Sequence, residues 1–194
     1  MSIELPIKGK SPDKWAIYIT ENLDEFLQDH AACERKAAAL AMSFVAKYPD
    51  RTALIDPMIS LAREELEHFQ QVFHLIHKRG QSLKSCDEKD PYINDILGSL
   101  RHGREERFLD RLIMSGLVEA RGYERFHLLS KHLSDESLKA FYSQLAEREA
   151  GHYRIFVRIA SHYFSSQEVH EAISRISDIE EKAMKGAPLR ATLH

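Results

Sequence analysis

Apolar residues along the chain recur at steps of three and four, in long stretches separated by Gly, Pro, Ser and Asp. Steps of that size keep apolar side chains on one face of a helix. Ser11-Pro12 sets a capping hydroxyl before a proline suited to the first helical position, and predicts a short helix over about 12–20. A periodic run over about 23–48 stops before Pro49. Asp56-Pro57 opens another over about 57–79, ended by Gly80 as a left-handed cap. Asp90-Pro91 starts a short helix that finishes near Gly98. Two further long helices are predicted over about 104–132 and 135–163, the second capped by Ser134. Ser165 with Glu168 forms a capping box for a last helix over about 166–182, and the remainder reads as a tail. No segment alternates with a period of two. The expectation is an all-α chain, one domain over 1–194, built as a ferritin-like four-helix bundle with additional short helices.

The inward stripes of the four long helices carry unexpected residues. They read Leu23, Leu27, His30, Glu34, Ala37, Ala41, Val45; then Met58, Leu61, Glu65, His68, Val72, Leu75. The third reads Leu112, Ser115, Glu119, Gly122, Phe126, Leu129, and the fourth Leu138, Tyr142, Leu145, Glu149, His152, Phe156, Ile159. A glutamate interrupts each stripe near its middle, and on two of them a histidine follows three residues later. Buried carboxylates without a partner cost several kcal/mol each, or take up a proton. With no Lys or Arg in these stripes, a metal is the natural compensating charge.

Glu-x-x-His alone is a weak pattern, and the chain holds a third instance, Glu124/His127. Glu124 lies about 140° around the helix from Glu119, which predicts a surface pair. Spacing separates the other two. Glu34 to Glu119 is 85 residues, while Glu65 to Glu149 and His68 to His152 are both 84. The same unit thus occurs twice: a glutamate helix followed by a Glu-x-x-His helix. Four glutamates and two histidines are the ligand set of di-iron and di-manganese carboxylate proteins. Oxygen and nitrogen donors without thiolate favour iron or manganese over a structural zinc. Two ferrous ions with open positions can activate dioxygen to attack an unactivated C–H bond.

Composition trims the alternatives. At 43% hydrophobic and 29% charged, the chain is of ordinary globular make-up. The opening residues lack the apolar core of a signal peptide, no stretch suits a membrane, and a cytoplasmic protein is expected. The two cysteines, Cys33 and Cys86, make neither a disulfide framework nor a rubredoxin-type CxxC centre. Cys33 points about 100° away from Glu34, which predicts packing and not ligation. Gly98 and Gly103 have phosphate-loop spacing, but Arg104-Glu105 stands where Lys-Ser/Thr is required. There is no GxGxxG, so electrons are expected from an external reductase. The formal charge of −3 argues against nucleic acid at first sight. Setting aside four inward glutamates leaves 27 basic residues against 26 acidic, a near-neutral surface. Arg101, Arg104, Arg107 and Arg111 form a stripe at three- and four-residue steps, with Lys78, Arg79, Lys84 and Arg148, Arg154, Arg158 as smaller clusters. A solvated face and a phosphate-binding face explain the stripe equally well.

The segments ACERKAAALAM (32–42), AREELEHF (62–69), RHGREERFLDRLIMSGLVEARGYERF (101–126) and AEREAGHYRIF (146–156) resemble the bacterial tRNA hydroxylases of 2-methylthio-isopentenyladenosine. The resemblance runs from about Ser11 to Glu181. It implies a ferritin-like non-haem di-iron monooxygenase that uses dioxygen to hydroxylate the isopentenyl group beside the anticodon. It also implies Glu34, Glu65, His68, Glu119, Glu149 and His152 as ligands of two irons, with the tRNA anticodon loop and a reductase as partners. Ala37, Ala38, Ala41 and Gly122 could then leave an apolar channel, and the arginine stripe becomes the candidate for holding phosphates. The residues alone leave open a ferritin- or rubrerythrin-type di-iron oxidase and a di-manganese catalase-like enzyme.

Overall fold

A computed structural model describes residues 6–87 and 89–194. The first five residues, part of the segment read above for a leader, lie outside the described residues. Among the described residues the regular structure is helical throughout: α1 (Asp13–Glu21), α2 (Leu23–Lys47), α3 (Thr52–Lys78), α4 (Pro91–Gly98), α5 (Arg104–His132), α6 (Glu136–Tyr163) and α7 (Ser166–Gly186). No helix among them is long and apolar enough to cross a membrane. The chain divides into two compact units, one of residues 18–89 and 190–193, the other of 1–17, 90–189 and 194.

The first unit is a hairpin of α2 packed on α3. On α3 the buried face is Leu54, Met58, Leu61, Glu65, His68, Val72 and Ile76, close to the predicted stripe. On α2 the face is rotated: Phe26, Ala38 and Phe44 are buried, while Leu23, Ala37 and Val45 are only half-buried. Helix α3 starts five residues before the expected Pro57, which lies inside it. Leu54 explains the difference, because it is fully buried. Its burial contributes about 2 kcal/mol, which offsets most of the about 3 kcal/mol that a proline costs inside a helix. The end is as expected. Gly80, at φ 74°, donates to His77 O while Gln81 donates to Ile76 O, a Schellman cap.

In the second unit α5 packs along α6, and α7 packs on α4, α5 and α6. The α5 stripe of Leu112, Ser115, Glu119, Gly122, Phe126 and Leu129 is wholly buried. Asp135, not Ser134, caps α6, because its carboxylate accepts from both the Ser137 and Leu138 amides. The Ser165/Glu168 capping box opens α7 as predicted, and burial of Ala183 and Met184 carries that helix past 182.

Helix α5 also buries charge where a solvated face seemed as good a reading. Arg121 is fully buried, donating to both Glu180 oxygens at 2.8 and 3.1 Å and to Glu124 at 3.0 Å. Tyr92 donates to Glu180 at 3.0 Å, tying α4 into the same node. Burial works against the Arg121 charge, but Glu180 and Glu124 hold its pKa above the ordinary guanidinium range. Asp110 is buried as well, and accepts from the Arg101 side chain at 2.7 Å and from Arg175 at 2.5 Å.

Candidate metal centre

Each unit brings one glutamate–glutamate–histidine cluster together. In the first, one ligand atom each of Glu34, Glu65 and His68 lie within 4.8 Å of one another. His68 Nδ1 is 3.4 Å from Glu65 Oε2 and 3.8 Å from Glu34 Oε2. The i, i+3 spacing sets Glu65 and His68 on one face of α3, one turn apart, and α2 supplies Glu34 across the hairpin. In the second cluster, Glu119 comes from α5, and Glu149 and His152 from α6. Here His152 Nδ1 is 3.4 Å from Glu149 Oε2 and 3.7 Å from Glu119 Oε2. The two clusters repeat each other to a tenth of an ångström. That is what the 84- and 85-residue spacings require of a repeated helical hairpin.

All six side chains are buried, with Glu119 the most open at 9%. Oxygen and imidazole donors at this density, shielded from water, match a hard or borderline divalent metal. Burial alone would raise the Glu34 carboxyl, yet hydrogen bonds from His30 and His68 hold it well below the usual carboxylate range. Burial likewise opposes charge on His68, but Glu34 and Glu65 push its pKa up to about 9. Both shifts describe carboxylates seeking a cation.

Sequence reasoning passed over His30 as a functional residue. It is fully buried, its Nε2 lies 2.6 Å from Glu34 Oε1, and its ring stacks on Phe26 at 5.7 Å. The signal was present: His30 stands on the inward stripe, four residues before a ligand candidate. The small residues divide. Ala38 and Ala41 are buried and Ala37 half-buried. A Cβ added at Gly122 would first meet Glu149, at 3.8 Å, an ordinary contact distance. Close helix packing instead occurs at Gly116, where a Cβ would lie 3.2 Å from the Tyr153 ring.

Other expectations are corrected. Glu124 and His127 do not form a surface pair, since Glu124 accepts from the Ser11 amide and hydroxyl and from Arg121. His127 is exposed and stacks on Tyr123. The α5 arginine stripe divides: Arg111 is buried and Arg101 is bound to Asp110, while Arg104 is exposed and Arg107 half-buried. Arg79 pairs with Asp24. Cys33 is half-buried and its thiol faces Asp29 at 3.7 Å, in keeping with packing.

Helices that carry paired Glu and Glu-x-x-His clusters define a class, the helical carboxylate metalloproteins. The family model described as tRNA-(MS2IO6A)-hydroxylase (MiaE) matches residues 3–194, and the chain belongs to that family of ferritin-like di-iron hydroxylases. It is 32% identical to the tRNA 2-(methylsulfanyl)-N(6)-isopentenyladenosine(37) hydroxylase of Pseudomonas putida, over 95% of this chain and 89% of that one. The Salmonella typhimurium protein of the same name is 27% identical over 88% of this chain and 80% of its own. Among solved structures it is similar to a Synechococcus protein described as having aldehyde deformylating oxygenase activity. That similarity has a TM-score of 0.90 at 34% identity, covering 95% of this chain and 92% of that one.

Proposed function

We propose that this chain hydroxylates the isopentenyl group of 2-(methylsulfanyl)-N6-isopentenyladenosine beside the anticodon of tRNA, in the cytoplasm. Glu34, Glu65, His68 and Glu119, Glu149, His152 are the ligands of its two irons. The observation that carries the reading is the pair of matched, buried Glu/Glu/His clusters, in a family whose named members act on that nucleoside. Two bound ferrous ions would supply the activation of dioxygen, one oxygen atom entering the C–H bond and the other leaving as water, with two electrons from an external reductase.

The chain's own residues do the rest. Four carboxylates balance two divalent ions, and two neutral imidazoles complete the donor set. Burial keeps bulk water from the reacting bond. A base in a single-stranded loop is turned out of its stack at low cost, which lets a buried site reach it. Phosphate contacts fall to the exposed arginines, Arg104 on α5 and Arg154 and Arg158 on α6. Arg154 and Arg158 are exposed one turn apart, and neither has an ion partner among the described residues.

The test is nucleoside mass spectrometry of tRNA carrying the unhydroxylated base, incubated with iron-loaded protein, dioxygen and a reductant. Gain of one oxygen atom on that nucleoside is expected. An unchanged nucleoside, with iron bound and electrons supplied, overturns the assignment.

A further inference from the structure

The two clusters match in their ligands and differ in what stands behind them. Shifting α2 by the 85-residue repeat lays Glu34 on Glu119 and His30 on Ser115. His30 donates from Nε2 to Glu34 Oε1 at 2.6 Å, and its ring is packed against the fully buried Phe26. Ser115 turns away from the ligand and donates to the Arg111 carbonyl, four residues back, at 2.8 Å. Glu119 instead faces His152 at 3.7 Å, beyond hydrogen-bond length.

We propose that His30 is a positioning residue for Glu34, making the α2–α3 cluster the tighter of two unequal metal positions and the first to fill. The inference rests on the six-ligand reading above. A carboxylate ligand held by a ring that cannot rotate loses little freedom when metal binds, so its preorganisation appears as affinity. One Glu34 oxygen is taken by His30, which leaves Oε2, the oxygen that faces His68, for the metal. Glu119 has no such brace from its own helix, and is the carboxylate free to swing when the centre changes its coordination. A repeated hairpin with histidine behind one ligand and serine behind its counterpart thus yields two positions of unlike rigidity.

The experiment is anaerobic titration of the metal-free full chain with ferrous iron, followed by equilibrium dialysis and metal analysis, on wild type, His30→Leu and His30→Gln. Wild type should bind two irons in separable steps. In His30→Leu the tighter step should weaken about 10- to 100-fold while the weaker step stays in place. His30→Gln, whose amide can still donate to Glu34, should recover most of the loss. Ser115→Ala should leave both steps unchanged. If His30→Leu does not fold, judged by its circular dichroism and melting, His30→Asn replaces it, because the shorter amide cannot span to Glu34. Two steps unaltered in the Leu or Asn variant, or weakened equally, would overturn the positioning role while leaving the six-ligand reading intact. A folded wild type that binds no iron would overturn both.

Discussion

Glu149 is the residue whose removal should separate a metal role from a packing role most cleanly. It is buried beside His152, and Gly122 lies against its side chain. Glu149→Ala should fold, because it removes a buried charge rather than apolar volume. It should nevertheless lose bound iron and hydroxylation together, as metal analysis and nucleoside mass spectrometry on one preparation will read. Glu180 should behave in the opposite way. It touches no ligand candidate, yet Arg121 and Tyr92 both depend on it. Glu180→Gln should lower unfolding free energy by about 3–5 kcal/mol, the usual loss when one partner of a buried ion pair is removed. Adding Arg121→Met should return much of that stability, because no uncompensated charge then remains. Chemical denaturation of the single and double variants measures both.

At the scale of elements, the start of α5 is held by Asp110, which takes Arg101 from the preceding loop and Arg175 from α7. Burial would raise its carboxyl, but hydrogen bonds from Arg101 and Arg175 depress it. A depressed folded-state pKa contributes stability above the unfolded carboxylate value, and that contribution is lost as pH falls through the folded value. Asp110→Asn should therefore cost about 1–3 kcal/mol near neutrality, discounted for two half-exposed arginines. Its stability should also fall less steeply than wild type on the acid side of the carboxylate range. Urea midpoints across that range provide the check. Local signals made most elements legible: the Gly80 cap, the Ser165/Glu168 box and the α3 and α5 stripes are all written within a few residues. Long-range pairing was not. Nothing near Arg121 announces Glu180, and nothing near Arg101 and Arg111 shows that one is bound to Asp110 and the other buried. Pro57 misled because α3 runs through it back to Thr52, with Leu54 buried on the far side. The six ligand candidates stood out through a repeat spanning much of the chain, whereas His30 blended into an apolar stripe as one more inward side chain.

For the whole molecule, a formal charge of −3 means that RNA is held by local arrangement and not by a strongly basic field. In the proposed function, Arg154 and Arg158 on α6 are two of the exposed arginines that supply it. Replacing both with Ala should weaken tRNA binding and lower the slope of log affinity against log salt by about 0.7–0.9 per arginine removed. Iron content should not change. Filter binding over a salt series measures the slope, and an unaltered slope would place the phosphate contacts elsewhere.

The Arg121 node also bears on how the chain emerges during synthesis. Its partner Glu180 lies 59 residues further along, so α5 leaves the ribosome well before the carboxylate that neutralises it exists. The α2–α3 hairpin makes Glu34, Glu65, His68 and the bracing His30 within one continuous segment, yet its unit is completed only by residues 190–193, where the Leu193 amide donates to Asp29 at 2.7 Å. Both halves of a repeated architecture therefore wait on the end of the chain, one for α7 and the other for the residues that follow it. A chain released short of its last dozen residues would leave Asp29 without the Leu193 amide, so the final turn of synthesis closes the hairpin's unit.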